Sequence, residues 1–163
     1  MRKAHYSITA PSRRSHRKMI MNESHQTHIA AAILRVGLGV MFVAHALLKI
    51  FVFTLPGTVQ FFQSVGLPGA FAYVTIAAEL VGGVLLILGV YTRVVALALL
   101  PVLLGALWVH FGNGWLFTSA NGGWEYPAFL VLAAVVVAVL GGGRYALRNE
   151  AREFAPRRGL QSA

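Results

Sequence analysis

AFAYVTIAAELVGGVLLILGVYTRVVALALLPVLLGALWVHF, residues 70–111, contains only two charged residues, Glu79 and Arg93. A membrane-crossing helix needs about 20 consecutive apolar residues, and this stretch holds enough for two. Tyr91-Thr92-Arg93 is the natural break between them. The reading is therefore two antiparallel spans, about Ala70–Val90 and Val94–Phe111, joined by a very tight connection. Pro101 falls inside the later span, where bundle neighbours make a kink tolerable.

Outward from this hairpin the pattern repeats. On the N-terminal side, Thr54–Gly69 (TLPGTVQFFQSVGLPG) is too short to cross and too apolar for a free loop. It reads as a short amphipathic segment at the membrane interface. Before it, about Ile29–Phe53 forms another span, apolar except for Arg35, His45 and Lys49. Ala44-His45-Ala46 has the small-x-small form of a signal-peptide cleavage site, but the apolar run continues through Leu47–Phe53 and further spans follow. On the C-terminal side, GNGWLFTSANGGW (112–124) is a polar, Gly-rich loop bracketed by Trp115 and Trp124. A short fourth span from Glu125 to about Leu140 ends at Gly141-Gly142-Gly143. The fold class expected is all-α: an integral membrane four-helix bundle with a short interfacial segment between helices 1 and 2.

Composition agrees with a membrane protein. Hydrophobic residues make up 57% of the 163 and charged residues only 12%, half the share usual in soluble domains. The formal charge of +9 does not signal nucleic acid, because eleven of the fourteen Lys/Arg residues sit at the two ends. Residues 1–27 read as a disordered basic tail, with Met19 and Met21 as alternative starts, residues 28–147 as the membrane domain, and 148–163 as a second basic tail. Between Thr54 and Tyr126 the lone Lys/Arg is Arg93. Positive charge marks the cytoplasmic side, so both termini and Arg93 are placed inside and the 112–124 loop outside. Cysteine is absent, which excludes disulfides and thiolate chemistry within the chain.

Ionisable groups in a bilayer cost about 2.5–3.5 kcal/mol on insertion scales and should face the bundle with a partner. At about 1.5 Å per residue, Glu79 lies near the midplane and His45 about 12 Å from the outer end of its span, so the two are expected to meet. Lys49, one turn from His45, lies nearer the outer surface, as do His110 and Glu125. The candidate ligand or proton-handling set is thus His45, Lys49, Glu79, His110, Asn113, Glu125 and Tyr126, in one pocket of the outer half. Arg35, Arg93 and Arg144 are read as inner-face anchors, Arg35 by snorkelling. Ala78 and Gly82, and Glu79 and Gly83, share the four-residue spacing that permits close helix contact. No metal-ligand spacing and no phosphate-binding glycine loop is present.

The order of LRVGLGVMFVAHALLKIFVF (34–53), FFQSVGLPG (61–69), AELVGGVLLILGVYTRVVAL (78–97), HFGNG (110–114), GGWEYPAFLV (122–131) and GGGRYAL (141–147) resembles the DoxX family of small four-helix bacterial membrane proteins. Ala46 departs from the glycine the family often carries there. The resemblance implies the bacterial cytoplasmic membrane and marks Arg35, His45, Lys49, Glu79, Arg93, Asn113, Glu125, Tyr126 and Arg144 as matching polar positions. It also implies an association with quinone-coupled oxidation, including that of thiosulfate, or with membrane complexes that manage oxidative and thiol stress.

Three functions stay open on the sequence. One is a membrane subunit of a quinone-linked oxidoreductase, with no cofactor within the chain, a quinone in the bundle and a soluble redox partner at the cytoplasmic face. Another is a small-molecule transporter or exporter, for which four spans would call for a homodimer. The third is a membrane anchor or assembly factor without its own ligand.

Overall fold

The computed structural model of the protein describes residues 13–143 and 145–148. Five α-helices follow in order: α1 (Arg13–Leu47), α2 (Leu55–Ser64), α3 (Ala70–Leu88), α4 (Thr92–His110) and α5 (Glu125–Leu140). A π-turn (Leu48–Val52) prolongs α1, and a single 3-10 turn (Phe111–Asn113) prolongs α4. The architecture is an all-α membrane bundle. α3 and α4 form the expected hairpin, α1 packs along α3, and α5 packs along α4 and against α1, which closes a ring of four helices.

Three segments, Ser24–Val52, Ala70–Leu88 and Thr92–Asn113, are long and apolar enough to cross a membrane. α5 is apolar but has only 16 residues, about 24 Å at the usual helical rise. That is short of the roughly 30 Å hydrocarbon layer, a mismatch that local thinning can absorb. The outward faces carry large exposed side chains such as Phe51, Val81, Val94 and Val139. In water such a surface would aggregate; in lipid it needs no partner.

α1 starts much earlier than the span it contains. Residues 13–27, expected as disordered tail, are helical. From Ser12 to Val36 the chain contains neither Gly nor Pro, so a helix nucleated in the apolar span propagates backward at little cost per residue. Residues 1–12, the tail beyond Arg148 and the expected anchor Arg144 lie outside the described residues.

α1 and α3 meet backbone to backbone. A Cβ on Gly39 would lie 2.7 Å from the Gly83 carbonyl oxygen, and one on Gly83 would lie 2.8 Å from that of Gly39. Gly82, next along α3, faces the other neighbour instead: its Cβ would meet the Leu99 methyls of α4 at 2.9 Å. The paired small residues thus serve two interfaces, one on each side of α3.

The core occupies one half of the bundle. Leu38, Leu86, Val95, Ala96, Leu99, Ala134 and Val137 pack together toward the end where α3 turns into α4. That is the tail end of the bundle. The opposite end, carrying α2 and the 111–124 loop, is the loop end, and there the helices leave a cavity.

The turn from α1 into α2 is sharp. Thr54 takes φ 63° as the N-cap of α2 and its hydroxyl accepts the Gly57 N–H at 3.3 Å. A β-branched residue in that region is strained, and the cap partly offsets the strain. α2 is too short to span and lies across the loop end against the π-turn and α3.

Candidate functional site

The π-turn places the lysine. Phe53 N–H donates to Leu48 O, five residues back, at 2.9 Å. The extra residue in the turn shifts the side chains relative to a regular helix, and such turns recur at functional sites. The Thr58 hydroxyl, buried on α2, donates to Lys49 O at 3.0 Å. It thereby satisfies a carbonyl at the distorted turn and ties α2 to it. Lys49 Nζ then reaches both carboxylate oxygens of Glu79, each at 2.8 Å. Glu79 is 5% exposed and faces α1, one turn from the Gly83 contact. Close approach of the two helix backbones brings the carboxylate within reach of a side chain on α1.

The direct partner of Glu79 is therefore Lys49, where the depth estimate from sequence had favoured His45. His45 Nδ1 lies 2.8 Å from Met41 O. A carbonyl can only accept, so Nδ1 is the donor, which in the neutral ring leaves the lone pair on Nε2. The ring stacks on Tyr126 of α5, centroids 6.0 Å apart and planes 21° apart. The Tyr126 hydroxyl is buried and has no partner among the described residues. A buried phenol without a partner is uncommon and costs stability. Lys49, Glu79, His45 and Tyr126 all line one cavity of about 1810 Å³.

His110, Asn113 and Glu125 do different work. His110 Nδ1 lies 3.1 and 3.0 Å from the Asn121 and Gly122 carbonyls, and Asn113 Nδ2 donates to the same two at 3.1 and 3.0 Å. A Glu125 carboxylate oxygen accepts the Phe117 N–H at 2.8 Å. These side chains fasten the 114–124 loop across the loop end. His110 and Glu125 still border the cavity, but the groups named are spent on backbone. The single pocket expected from sequence thus divides into a polar cluster of four and a loop clasp of three.

At the tail end, Arg35 is a correction to the snorkelling anchor. It is only 2% exposed and donates through one nitrogen to Leu86 O at 2.5 Å and Ile87 O at 2.8 Å, and through another to Tyr145 O at 3.5 Å. Leu86 O and Ile87 O belong to the last turn of α3, where a cation is favoured by the helix dipole. Gly89, at φ 72°, caps the same end, and its Cβ would strike the Arg35 guanidinium at 2.6 Å. Leu147 N–H and Arg148 N–H then bond Leu88 O and Gly89 O, so the C-terminal segment docks where Arg35 does. Arg93 is exposed at this end, against Gly141. No signal in α1 alone could have revealed the Arg35 contacts, because its acceptors lie on α3 and beyond α5.

Among the described residues no three His, Asp or Glu side chains gather as a metal site would require. The cavity instead offers an ammonium, a carboxylate, an imidazole nitrogen and a phenol on apolar walls. That arrangement suits an uncharged ligand with hydrogen-bonding oxygens.

The DoxX family profile matches residues 30–112, just over half of the chain, and these include His45, Lys49 and Glu79. The chain belongs to the DoxX family. A DoxX relative, "Putative oxidoreductase CatD" of Bacillus subtilis (strain 168), is 44% identical over 87 residues, which is 53% of this chain and 62% of the relative. The match thus spans less than two thirds of that protein's length. No solved structure matches this DoxX chain. α5, with Tyr126 and Glu125, lies beyond the family match, so the fourth wall of the cavity is added by the structure alone.

Proposed function

We propose that this DoxX protein is the membrane subunit of a quinone-linked oxidoreductase, and that the loop-end cavity binds the quinone head group. The observation that carries this reading is the meeting of Lys49, Glu79, His45 and Tyr126 on the apolar walls of one cavity. A quinone carbonyl accepts hydrogen bonds, and reduction to quinol consumes two electrons and two protons. The unpartnered Tyr126 hydroxyl can donate to one carbonyl, and His45 Nε2 can accept a quinol proton. Lys49 has one N–H left after its two bonds to Glu79. The chain has no cysteine to carry electrons, so they pass to or from a soluble partner docking on the basic tails. Those tails face the cytoplasm of a bacterial cell in this reading, and the loop end faces outward. The oxidoreductase in the name of the Bacillus relative supports the same class of reaction.

A transporter is less well supported. Passage would require opening the packed half of the bundle, where Leu86 and Val137 are fully buried. A bare anchor would need neither a buried ion pair nor a large cavity.

The test is solvent extraction of the protein purified in mild detergent, followed by chromatography of the extract. Quinone in near-stoichiometric ratio to wild-type protein, and its loss from a folded Tyr126→Phe/His45→Leu double variant, is the expected result. Equal quinone in both preparations would mean carry-over with the lipid and would sink the reading.

A further inference from the structure

The cavity is larger than a head group needs. Pockets for drug-sized ligands run about 300–1,000 Å³, against about 1810 Å³ here. Its polar groups are concentrated around Lys49, Glu79, His45 and Tyr126, and most other wall residues are apolar. Two of those wall residues decide where the cavity leads. Val74 on α3 is 63% exposed and Leu132 on α5 is 60% exposed, yet both line the cavity. A residue that lines a cavity and also faces the exterior stands at an opening. Val74 lies four residues and Leu132 seven residues from the loop-end termini of their helices, roughly 6 and 10 Å along the axis. With the helix ends taken as the edges of the hydrocarbon layer, both residues lie within it and the exposed faces meet lipid tails. Phe71 and Phe129, one turn nearer the surface on the same two helices, are exposed and line the cavity too. At the water-facing end, α2 lies across the bundle and the His110, Asn113 and Glu125 bonds hold the loop in place.

We infer that the ligand enters sideways from the bilayer past Val74 on α3 or past Leu132 on α5, two helices at opposite corners of the ring, and that its hydrocarbon chain stays in such an opening while its polar head reaches Lys49 and Glu79. The ligand class is a membrane-dissolved amphipath with a hydrogen-bonding head and a long chain. The head-group identity rests on the quinone reading above; the lateral route does not.

The native chain lacks cysteine, so Val74→Cys and Leu132→Cys are each single reporters in the full-length protein. In reconstituted vesicles, a lipid-soluble maleimide should label both at least tenfold faster than a membrane-impermeant sulfonated one. A benzoquinone with a ten-carbon chain should slow that labelling at one or both positions, and the same ring without a chain at neither. In a second arm, at least one of Val74→Trp and Leu132→Trp should weaken binding of the chain-bearing quinone about tenfold, after correction for partition, and leave the chainless ring unchanged. Equal labelling by the two reagents, or chain-independent affinity, would overturn the lateral route. Protection by a ten-carbon alcohol but by no quinone would keep the route and refute the quinone reading.

Discussion

Lys49 Nζ, in the π-turn that ends α1, meets the Glu79 carboxylate at 2.8 Å on both oxygens, and Glu79 sits midway along α3. Removing one partner leaves a buried charge unpaired, which costs about 3–5 kcal/mol, whereas replacing both with apolar groups is often near neutral. Lys49→Met and Glu79→Leu should therefore each lower the yield and thermal midpoint of folded protein in mild detergent. The double variant should recover most of the loss. Additive losses in this cycle would show that the two side chains do not stabilise one another.

The glycine contact makes a paired prediction. Gly83→Ala places a methyl against the Gly39 carbonyl and the Val43 backbone nitrogen, so α1 and α3 must separate and the thermal midpoint should fall by several degrees. Gly37, on the same helix α1, has nothing within 4 Å of its would-be Cβ. There Gly37→Ala should be neutral or stabilising by up to about 1 kcal/mol, from helix propensity alone. Equal effects of the two substitutions in a thermal-shift assay would contradict the packing described.

Arg35→Lys should not substitute for arginine. A single ammonium cannot reach Leu86 O, Ile87 O and Tyr145 O from one position as the guanidinium fork does. Loss of the clamp should free the segment at residues 145–148, read as faster limited proteolysis there than in wild type. An unchanged cleavage rate would mean that the Leu147 and Arg148 backbone bonds hold the segment without it.

Orientation is tested by reporter fusions at Gly57, Arg93 and Asn121. Cytoplasmic activity at Arg93 and periplasmic activity at the other two is expected. Cytoplasmic activity at Asn121 would place the cavity end on the wrong side for the proposal.

Much of this was legible in the sequence, and the failures share a cause. The spans, the short interfacial helix and the burial of Glu79 toward α1 follow from hydropathy and from the cost of a charge in lipid, which are local or nearly local quantities. Lys49 as the partner of Glu79 was not legible. Counting depth on a regular helix sets Lys49 too near the surface, and the π-turn with its Thr58 bond from α2 is a tertiary device. Arg35 was misjudged for the same reason: its acceptors belong to another helix's terminus. His110, Asn113 and Glu125 were grouped with the cluster because they share its depth, and only the path of the 114–124 loop shows what they bond. The helical run from Arg13 to Thr27 has polar composition without period, and continuation from the span behind it outweighs that composition.

The most direct measurement is a titration of the purified protein with a chain-bearing quinone, followed by quenching of its three tryptophans, Trp108, Trp115 and Trp124, all at the loop end. Wild-type protein should quench saturably. Folded His45→Leu and Tyr126→Phe variants should each bind at least about fivefold more weakly, the worth of roughly one hydrogen bond. Quenching that rises without saturation, as partition into an empty micelle would, or affinities unchanged in both variants, would contradict a quinone site in this cavity.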